Sequence, residues 1–168
     1  MPRRSKPDPE ETLAELLPEL PEDLGRQAFT HASWVEHRAE SYERLAFLGD
    51  VVLSLAVSTH LYPRFERYGA GRLTKVRAQA VSGPSCARVA RALGVPDELR
   101  RTAPEGTGRT ADMLVDSERV LASVCEAIIG AGYLAFGLQR TAPAVVESFR
   151  GEIEQALEHP VDFKSVLQ

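Results

Sequence analysis

The sequence ERLAFLGDVVL, at residues 43–53, decides the fold. It belongs to a longer run, residues 42–61, whose apolar side chains recur at helical spacing on more than one face. Such a run predicts a long, largely buried helix. Gly49 costs about 1 kcal/mol relative to alanine inside a helix. A second helix packed closely at this point would offset that cost.

A second long apolar helix is predicted for residues 116–136, closed by Gly137. It also has glycines in its interior, Gly130 and Gly132, and a carboxylate among apolar residues, Glu126. The two helices therefore share two features. Each has small residues that permit close packing, and each has an acid that needs a partner where it is surrounded by apolar side chains.

Polar residues of the two helices form two matching pairs. At 100° per residue, Glu43 and Asp50 lie within about 20° of each other, with Ala46 between them on the same stripe. Ser123 and Glu126 are three residues apart on the other helix. A cation shared by both helices would stabilise the carboxylates, and so would salt bridges to arginines or a solvated helix edge. Spacing alone leaves these alternatives open.

The rest of the chain also has helical spacing. No segment shows sustained alternation of period two, and no Asn-Gly or Asp-Gly hairpin signal is present, so the predicted fold class is all-α. The other predicted segments are a short helix at 13–20 broken by prolines, helices at 24–29 and 71–82, a helix that Ser82 caps and Gly94 ends, a loop at 102–110, and a last helix at 141–158.

Length and composition indicate an ordinary globular domain. A chain of 168 residues with 43% hydrophobic and 26% charged residues is large enough for one domain and argues against disorder or a disulfide-stapled fold. No uninterrupted apolar run reaches the roughly 18–20 residues of a membrane span, and the N-terminus has no apolar signal core. A cytoplasmic location without a membrane partner is therefore expected. The two cysteines, Cys86 and Cys125, are expected to be buried small hydrophobes.

The net charge of −4 hides a local asymmetry. Residues 64–109 contain ten Lys/Arg against four Asp/Glu, a local charge of +6, which leaves −10 for the remainder. Such a basic stretch is either a solvated face or a strip that binds phosphates. Composition does not distinguish between them.

Four segments, in order, resemble the ribonuclease III family. The stretch at 43–53 is similar to the family's ERLEFLGDxVL and lacks only its second glutamate. FTHAS at 29–33 is similar to L-T-H-x-S, GRLTKVRAQAVS at 71–82 to G-x-L-T-K-x-R-A…V-S, and EAIIGAGYL at 126–134 to E-A-L-I-G-A-x-Y-L. The resemblance covers about residues 24–158. It implies the helical bundle of a ribonuclease III-type endonuclease domain.

The resemblance also implies a chemistry. Members of this family hydrolyse phosphodiesters of double-stranded RNA with a divalent metal, normally magnesium (Mg²⁺), for which Mn²⁺ can substitute, held by four acids. Asp50 and Glu126 match two of these catalytic, metal-binding acids, whereas Ala46 and Ser123 stand at the other two positions. Glu43 matches a glutamate beside the site. One Mg²⁺ on two carboxylates is chemically reasonable, but a two-metal site is doubtful, and slower cleavage is expected.

Further roles follow from the resemblance. The helix that contains Arg72, Lys75 and Arg77 borders the family's catalytic valley, so these residues are candidates for RNA phosphate contacts. Phe47 matches a contact of the family's homodimer, and its alternative is ordinary core packing.

Other residues near the motifs carry weaker signals. Arg119 lies seven residues before Glu126, and it either contacts phosphate, pairs with an acid or points to solvent. His31 and Ser33 are expected to fix the turn into the central helix. Arg88, Arg91, Arg100 and Arg101 are expected to be solvated.

The predicted domains are a disordered tail at 1–8, a catalytic domain at 9–159, and a linker at 160–168 that resembles the truncated start of a double-stranded-RNA-binding domain. The function indicated is a double-stranded-RNA endoribonuclease that processes rRNA or mRNA precursors as a homodimer. A catalytically weak or inactive relative that binds structured RNA as a scaffold is the alternative. A protein-interaction module without an RNA ligand is the third.

Overall fold

The computed structural model describes residues 10–161 and is all-helical over that range, as the sequence predicts. Three short 3₁₀ turns, Leu17–Glu19, Ala32–Trp34 and Arg38–Glu40, connect the early helices. The ten α-helices of this range are α1 (Leu13–Leu16), α2 (Glu22–Ala28), α3 (Glu43–Leu61), α4 (Ala70–Ala80), α5 (Gly83–Ala92), α6 (Val95–Thr102), α7 (Gly108–Val115), α8 (Glu118–Phe136), α9 (Leu138–Ser148) and α10 (Arg150–Glu158).

Helices α3 and α8 pack against each other through glycine. A Cβ atom on Gly49 would collide with the backbone carbonyl oxygen of Glu126, and one on Gly130 would collide with the carbonyl oxygen of Leu45. The backbones are thus in direct contact, and the close approach that the glycines predict is confirmed. No residue larger than glycine fits at either position without moving one helix away from the other.

Helix α8 is the centre of the domain. It packs against α3 and α5 most extensively, and also against α2, α7 and α9. Eleven of its residues are buried, including Leu121, Val124 and Ile129, which are fully inaccessible. Cys125 on α8 and Cys86 on α5 are buried too, as expected of small hydrophobes. Burial of this apolar surface on several sides explains why the pattern of α8 is apolar on more than one face.

The region predicted as a loop at 102–110 is partly helical. Helix α6 ends at Thr102 and α7 begins at Gly108, so only about half of that segment is irregular. Gly106 has a left-handed φ of 83° within the turn. The predicted loop is confirmed at 103–107, and its bounds are too wide because the glycine and threonine composition hides the ends of two short helices, each of which buries few residues.

The predicted last helix at 141–158 is two helices. Helix α9 begins at Leu138, and a break at Phe149 separates it from α10. Phe149 is fully buried, with a non-helical ψ of 7°. The chain therefore changes direction where the aromatic ring enters the core. Apolar spacing continues through this corner, which is why the sequence shows no break.

Helices α3 and α8 are, by length and composition alone, long and apolar enough to cross a membrane. Length and composition alone do not test the expectation of a domain without a membrane partner. Core helices of globular domains pass the same test, and both of these helices contribute to the core of this domain.

The predicted tail at 1–8 and most of the predicted linker at 160–168 lie outside the described residues. Near the end of the described range, Gln79 on α4 holds the chain on both sides of Pro160. Its Nε2 donates to the carbonyl oxygen of His159 at 3.0 Å, and its Oε1 accepts from the backbone N–H of Val161 at 2.9 Å.

Replacing Gly49 with alanine tests the helix contact. We expect Gly49→Ala to lower the free energy of unfolding by about 3 kcal/mol, because the added methyl group must push α3 away from α8. Urea unfolding followed by circular dichroism measures this change. The control is Gly71→Ala, because Gly71 lies in α4 with nothing within 4 Å of an added Cβ. That variant should be neutral or gain up to about 1 kcal/mol; equal effects at both positions would contradict the packing.

Candidate metal and RNA-binding site

Asp50 and Glu126 are brought together by the contact between α3 and α8. Asp50 follows Gly49 directly and is exposed, and Glu126 is half-buried on α8. Burial, with a further contribution from the negative charge of Asp50, raises the pKa of Glu126 to about 7. Two acids from different helices therefore repel each other across the contact. A cation bound between them would relieve that repulsion.

Ala46 and Ser123 lie close to these acids, about one helical turn before each. Both line one cleft of about 430 Å³. Because neither side chain carries a charge, Asp50 and Glu126 are the carboxylates that remain at the four positions where the resemblance implies acids. Nowhere in residues 10–161 do three or more His, Cys, Asp or Glu side chains converge as metal ligands. The other residues that line the cleft are His31, Arg38, Tyr42, Glu43, Arg119 and Val120.

Glu43 is held by an arginine that the sequence analysis did not single out. Arg38 Nε donates to Glu43 Oε2 at 3.0 Å, and Arg38 Nη2 donates to Oε1 at 2.5 Å. This bidentate pair lowers the pKa of Glu43. Glu43 therefore lies beside the site with both carboxylate oxygens engaged. Arg38 belongs to a 3₁₀ turn, where no helical spacing marks it as a partner.

His31 builds the turn that leads toward α3. Its Nδ1 accepts from the backbone N–H of Ser33 at 3.1 Å and lies 2.8 Å from Ser33 Oγ. Its ring packs edge-on against Tyr42 at a centroid distance of 5.8 Å. Burial lowers the pKa of His31. The structural role expected for His31 and Ser33 is confirmed.

Arg119 is an exposed side chain that lines the same cleft. Of the alternatives left by the sequence, pairing with an acid is not observed: within residues 10–161 no carboxylate lies within 4.0 Å of its guanidinium. Its positive charge nevertheless acts on Glu43, which lines the same cleft. Its charge adds a small contribution to the lowered pKa of Glu43, which Arg38 dominates.

The three predicted RNA contacts on α4 are not equivalent. Lys75 is exposed. The guanidinium of Arg72 stacks over the ring of Tyr68, 3.6 Å from its centroid, which orients an exposed cation. Arg77 donates from Nη1 to Ser58 Oγ at 3.0 Å and so links α4 to α3. Arg72 and Lys75 are therefore available for a ligand, whereas Arg77 has a structural contact.

The second half of the basic strip is largely neutralised. Arg88 pairs with Glu152 at 2.7 Å, Arg100 with Asp97 and Asp112, and Arg101 with Glu98 at 2.5 Å. These three arginines are thus ion-paired and not merely solvated. The count of +6 overstates the free charge, because one acid outside the strip, Glu152, pairs with Arg88 and another, Asp112, pairs with Arg100.

Phe47 is not a core residue. Its side chain is 80% exposed, and the same face of α3 exposes Val51 and Leu55 at intervals of four residues. Core packing, the alternative for Phe47, is therefore wrong. Beside this apolar stripe lies a cavity of about 780 Å³, whose lining includes Leu24 and Leu134. The sequence shows the four-residue spacing of this stripe. It does not show that the stripe is exposed, because other faces of α3 are apolar as well.

A helical bundle with acids from its two central helices meeting at their contact is the architecture of a ribonuclease III-type nuclease domain. Comparison with known proteins agrees: the family model described as Ribonuclease-III-like matches residues 21–152. The chain belongs to the ribonuclease III family.

Two relatives show the extent of the similarity. The chain is 42% identical over 149 residues to Ribonuclease 3 of Halalkalibacterium halodurans, covering 84% of this chain and 54% of that protein. It is 43% identical over 154 residues to Ribonuclease 3 of Geobacillus kaustophilus, covering 88% and 60%. The chain thus spans little more than half the length of these curated relatives.

A solved structure shows the same fold. The nuclease domain of ribonuclease III from Campylobacter jejuni superimposes with a TM-score of 0.71 and is 29% identical in sequence. The match covers 83% of this chain and 95% of that one. It extends the family assignment from sequence to three-dimensional structure.

The burial of Glu126, with the added repulsion from Asp50, predicts a pH-dependent stability. The pKa of Glu126 is about 7 in the folded state, against 4.5 for an ordinary glutamate, so the folded state binds the proton more tightly. Stability from this group is present below pH 4.5 and is lost as the pH rises to about 7. In a metal chelator at pH 8, Glu126→Gln should therefore be more stable than wild type by about 1–2 kcal/mol, a figure reduced for solvent screening.

Urea unfolding between pH 4 and pH 8 measures this difference. The control is Glu105→Gln, because Glu105 is an exposed residue of the turn between α6 and α7. That variant should follow wild type at every pH. A Glu126→Gln difference that stays constant from pH 4 to pH 8 would contradict the raised pKa of Glu126.

Proposed function

We propose that this domain is an endoribonuclease that hydrolyses phosphodiesters of double-stranded RNA with one divalent metal ion held between Asp50 and Glu126. The observation that carries the proposal is that the α3–α8 contact brings these two acids close enough that, in addition to burial, the charge of Asp50 raises the pKa of Glu126. The family supports the reaction. The Ribonuclease 3 relatives support RNA as the substrate.

The donor set fits a single hard cation. Mg²⁺ prefers oxygen ligands and commonly binds through one or two carboxylates, keeping several waters that a substrate phosphate can replace. Asp50 and Glu126 supply that number. Ala46 and Ser123 supply no carboxylate to bridge a second ion. When bound, the metal would supply charge stabilisation at the reacting phosphate and lower the pKa of a bound water.

The described residues contribute binding and orientation. Glu126 is half-buried on α8 between the buried residues Cys125 and Ala127, and Asp50 is exposed. On α4, Arg72 and Lys75 present positive charge to the backbone of A-form RNA, which proteins recognise mainly through shape, phosphates and 2′-hydroxyls. The proposed substrates are duplex regions of rRNA or mRNA precursors in the cytoplasm.

Loss of either acid should abolish cleavage. Asp50→Asn and Glu126→Gln are each expected to lower the rate at least about 100-fold, equivalent to about 2.7 kcal/mol of transition-state stabilisation. The assay incubates purified protein with long duplex RNA and Mg²⁺ or Mn²⁺, and a chelator should remove all activity. Asp116→Asn, which alters an exposed acid just before α8, is the matched control and should leave the rate unchanged. Cleavage that survives both site substitutions would contradict the proposal.

A catalytically silent RNA-binding scaffold is the second candidate. The observation that favours it is the presence of Ala46 and Ser123 where the family's other acids stand. Duplex binding without cleavage, even in excess Mn²⁺, would select this candidate. Absence of any salt-dependent duplex binding would instead favour the protein-interaction module.

We further propose that the domain acts as a homodimer through the exposed stripe of α3. Phe47, Val51 and Leu55 form a contiguous apolar face beside a cavity large enough to receive an aromatic ring. In a two-fold dimer the same surface serves both partners, so Phe47 of each chain can enter the other chain's cavity. The related Campylobacter jejuni nuclease domain has a flexible region involved in dimer formation, which supports this assembly.

Charge placed on the stripe should separate the dimer. Phe47→Glu is expected to shift the mass measured by sedimentation equilibrium from twice 18.4 kDa to 18.4 kDa, because a carboxylate buried against the leucines of the cavity has a large desolvation cost. Met113→Glu is the control, since Met113 is 71% exposed on α7, away from the stripe. A wild-type monomer, or dissociation by both substitutions, would contradict the assignment.

A further inference from the structure

The cleft beside the two acids carries a net positive charge. Arg38 and Glu43 neutralise each other through their bidentate pair. Ala46 and Ser123 are uncharged, and His31 has a lowered pKa, which leaves it neutral at pH 7. Arg119 therefore gives the cleft a charge of about +1. A cleft that is positive immediately next to Asp50 and Glu126 has the opposite sign to a metal-binding surface.

One face of α8 presents three different groups in order. Arg119 and Ser123 are four residues apart, and Glu126 follows three residues later, so all three lie on neighbouring turns of the same face. A cation, a hydroxyl and a carboxylate thus follow one another toward the α3–α8 contact. At position 123 the resemblance implies a carboxylate, which can only accept hydrogen bonds. The hydroxyl of Ser123 can also donate one.

The guanidinium of Arg119 is free to bind. It is exposed, it lines the cleft, and within the described part of the chain it lies in no ion pair. Arginine has a planar guanidinium whose N–H donors can bind two oxygens of one phosphate. A cleft lined by carboxylates would instead repel a phosphate.

We propose that Arg119, assisted by the hydroxyl of Ser123, binds a phosphate of the RNA backbone in this cleft, next to Asp50 and Glu126. This inference rests on the proposed function and specifies how the substrate is held. On the side of the site where Ala46 and Ser123 stand, the guanidinium supplies positive charge beside the reacting phosphodiester. Fixed positive charge of this kind stabilises the negative charge that develops on phosphate oxygens during cleavage.

The first test measures duplex RNA binding in a chelator, where no cleavage occurs. We expect Arg119→Gln to weaken binding several-fold and to reduce the slope of log K against log [salt] by about 0.7–0.9, the change for one lost phosphate contact. Arg119→Lys should keep the slope because its charge remains. With metal present, it should cleave more slowly than wild type because lysine lacks the bidentate fork.

Arg91→Gln is the matched control. Arg91 is an exposed arginine near the end of α5, with no ion pair within residues 10–161, so its loss changes net charge equally without touching the cleft. It should leave slope and cleavage close to wild type. A parallel titration with inorganic phosphate shows whether the cleft binds the phosphates of an RNA backbone or only a free anion. Wild-type protein that binds inorganic phosphate but not duplex RNA would overturn the inference.

The second test restores the missing acids. In the double variant Ala46→Glu with Ser123→Asp, the carboxylate introduced at the second position lies four residues after Arg119 and pairs with it. The gain in cleavage from the two acids should therefore be at least about threefold larger when Arg119→Gln is also present, a coupling expected of groups in contact. Equal gains in the two backgrounds would overturn the placement of Arg119 in the site.

The two proposals fail in distinguishable ways. If wild-type protein neither binds nor cleaves duplex RNA, the proposed function fails and this inference fails with it. A different result overturns the inference alone: wild type cleaves duplex RNA, and Arg119→Gln binds and cleaves it as well as wild type and the Arg91→Gln control. Weaker binding with a reduced slope for Arg119→Gln only would support it.

Discussion

The backbone contact between α3 and α8 at Gly49 and Gly130 is the constraint on which the rest of the structure depends. Because each glycine faces a carbonyl oxygen of the other helix, the two longest helices meet more closely than any side chain would permit. Their contact forms the centre of the core and sets the separation of the two acids beside it. The cost of glycine in a helix is thus offset by packing that only glycine allows.

The same contact creates an electrostatic conflict. Asp50 and the half-buried Glu126 lie on opposite sides of it, and burial together with the negative charge of Asp50 raises the pKa of Glu126. Folding alone does not relieve this conflict, whereas a bound cation would. The neighbouring cleft differs in sign, since Arg119 is unpaired there within the described residues. The site is therefore divided into an acidic half that suits one metal ion and a basic half that suits a phosphate.

Sequence patterns predict those parts of the molecule that depend on neighbours along the chain. Helical spacing locates α3 and α8, and the interior glycines correctly indicate their close approach. Short amphipathic helices such as α6 and the corner at Phe149 are missed, because apolar spacing records neither where the chain turns nor how few residues a short helix buries. Likewise, the resemblance singles out Asp50 and Glu126, which the structure brings together at the α3–α8 contact. The bond from Arg38 to Glu43 was not identifiable from the sequence, because it depends on the path of an irregular turn.

The central claim, that two acids from different helices bind one divalent ion, is tested most directly by counting bound metal. Titration of the protein with Mn²⁺, followed by electron paramagnetic resonance of the free ion, should show one ion per chain. That ion should be lost in Asp50→Asn and in Glu126→Gln. Binding of two ions per chain, or one ion that persists after either acid is replaced, would contradict the account.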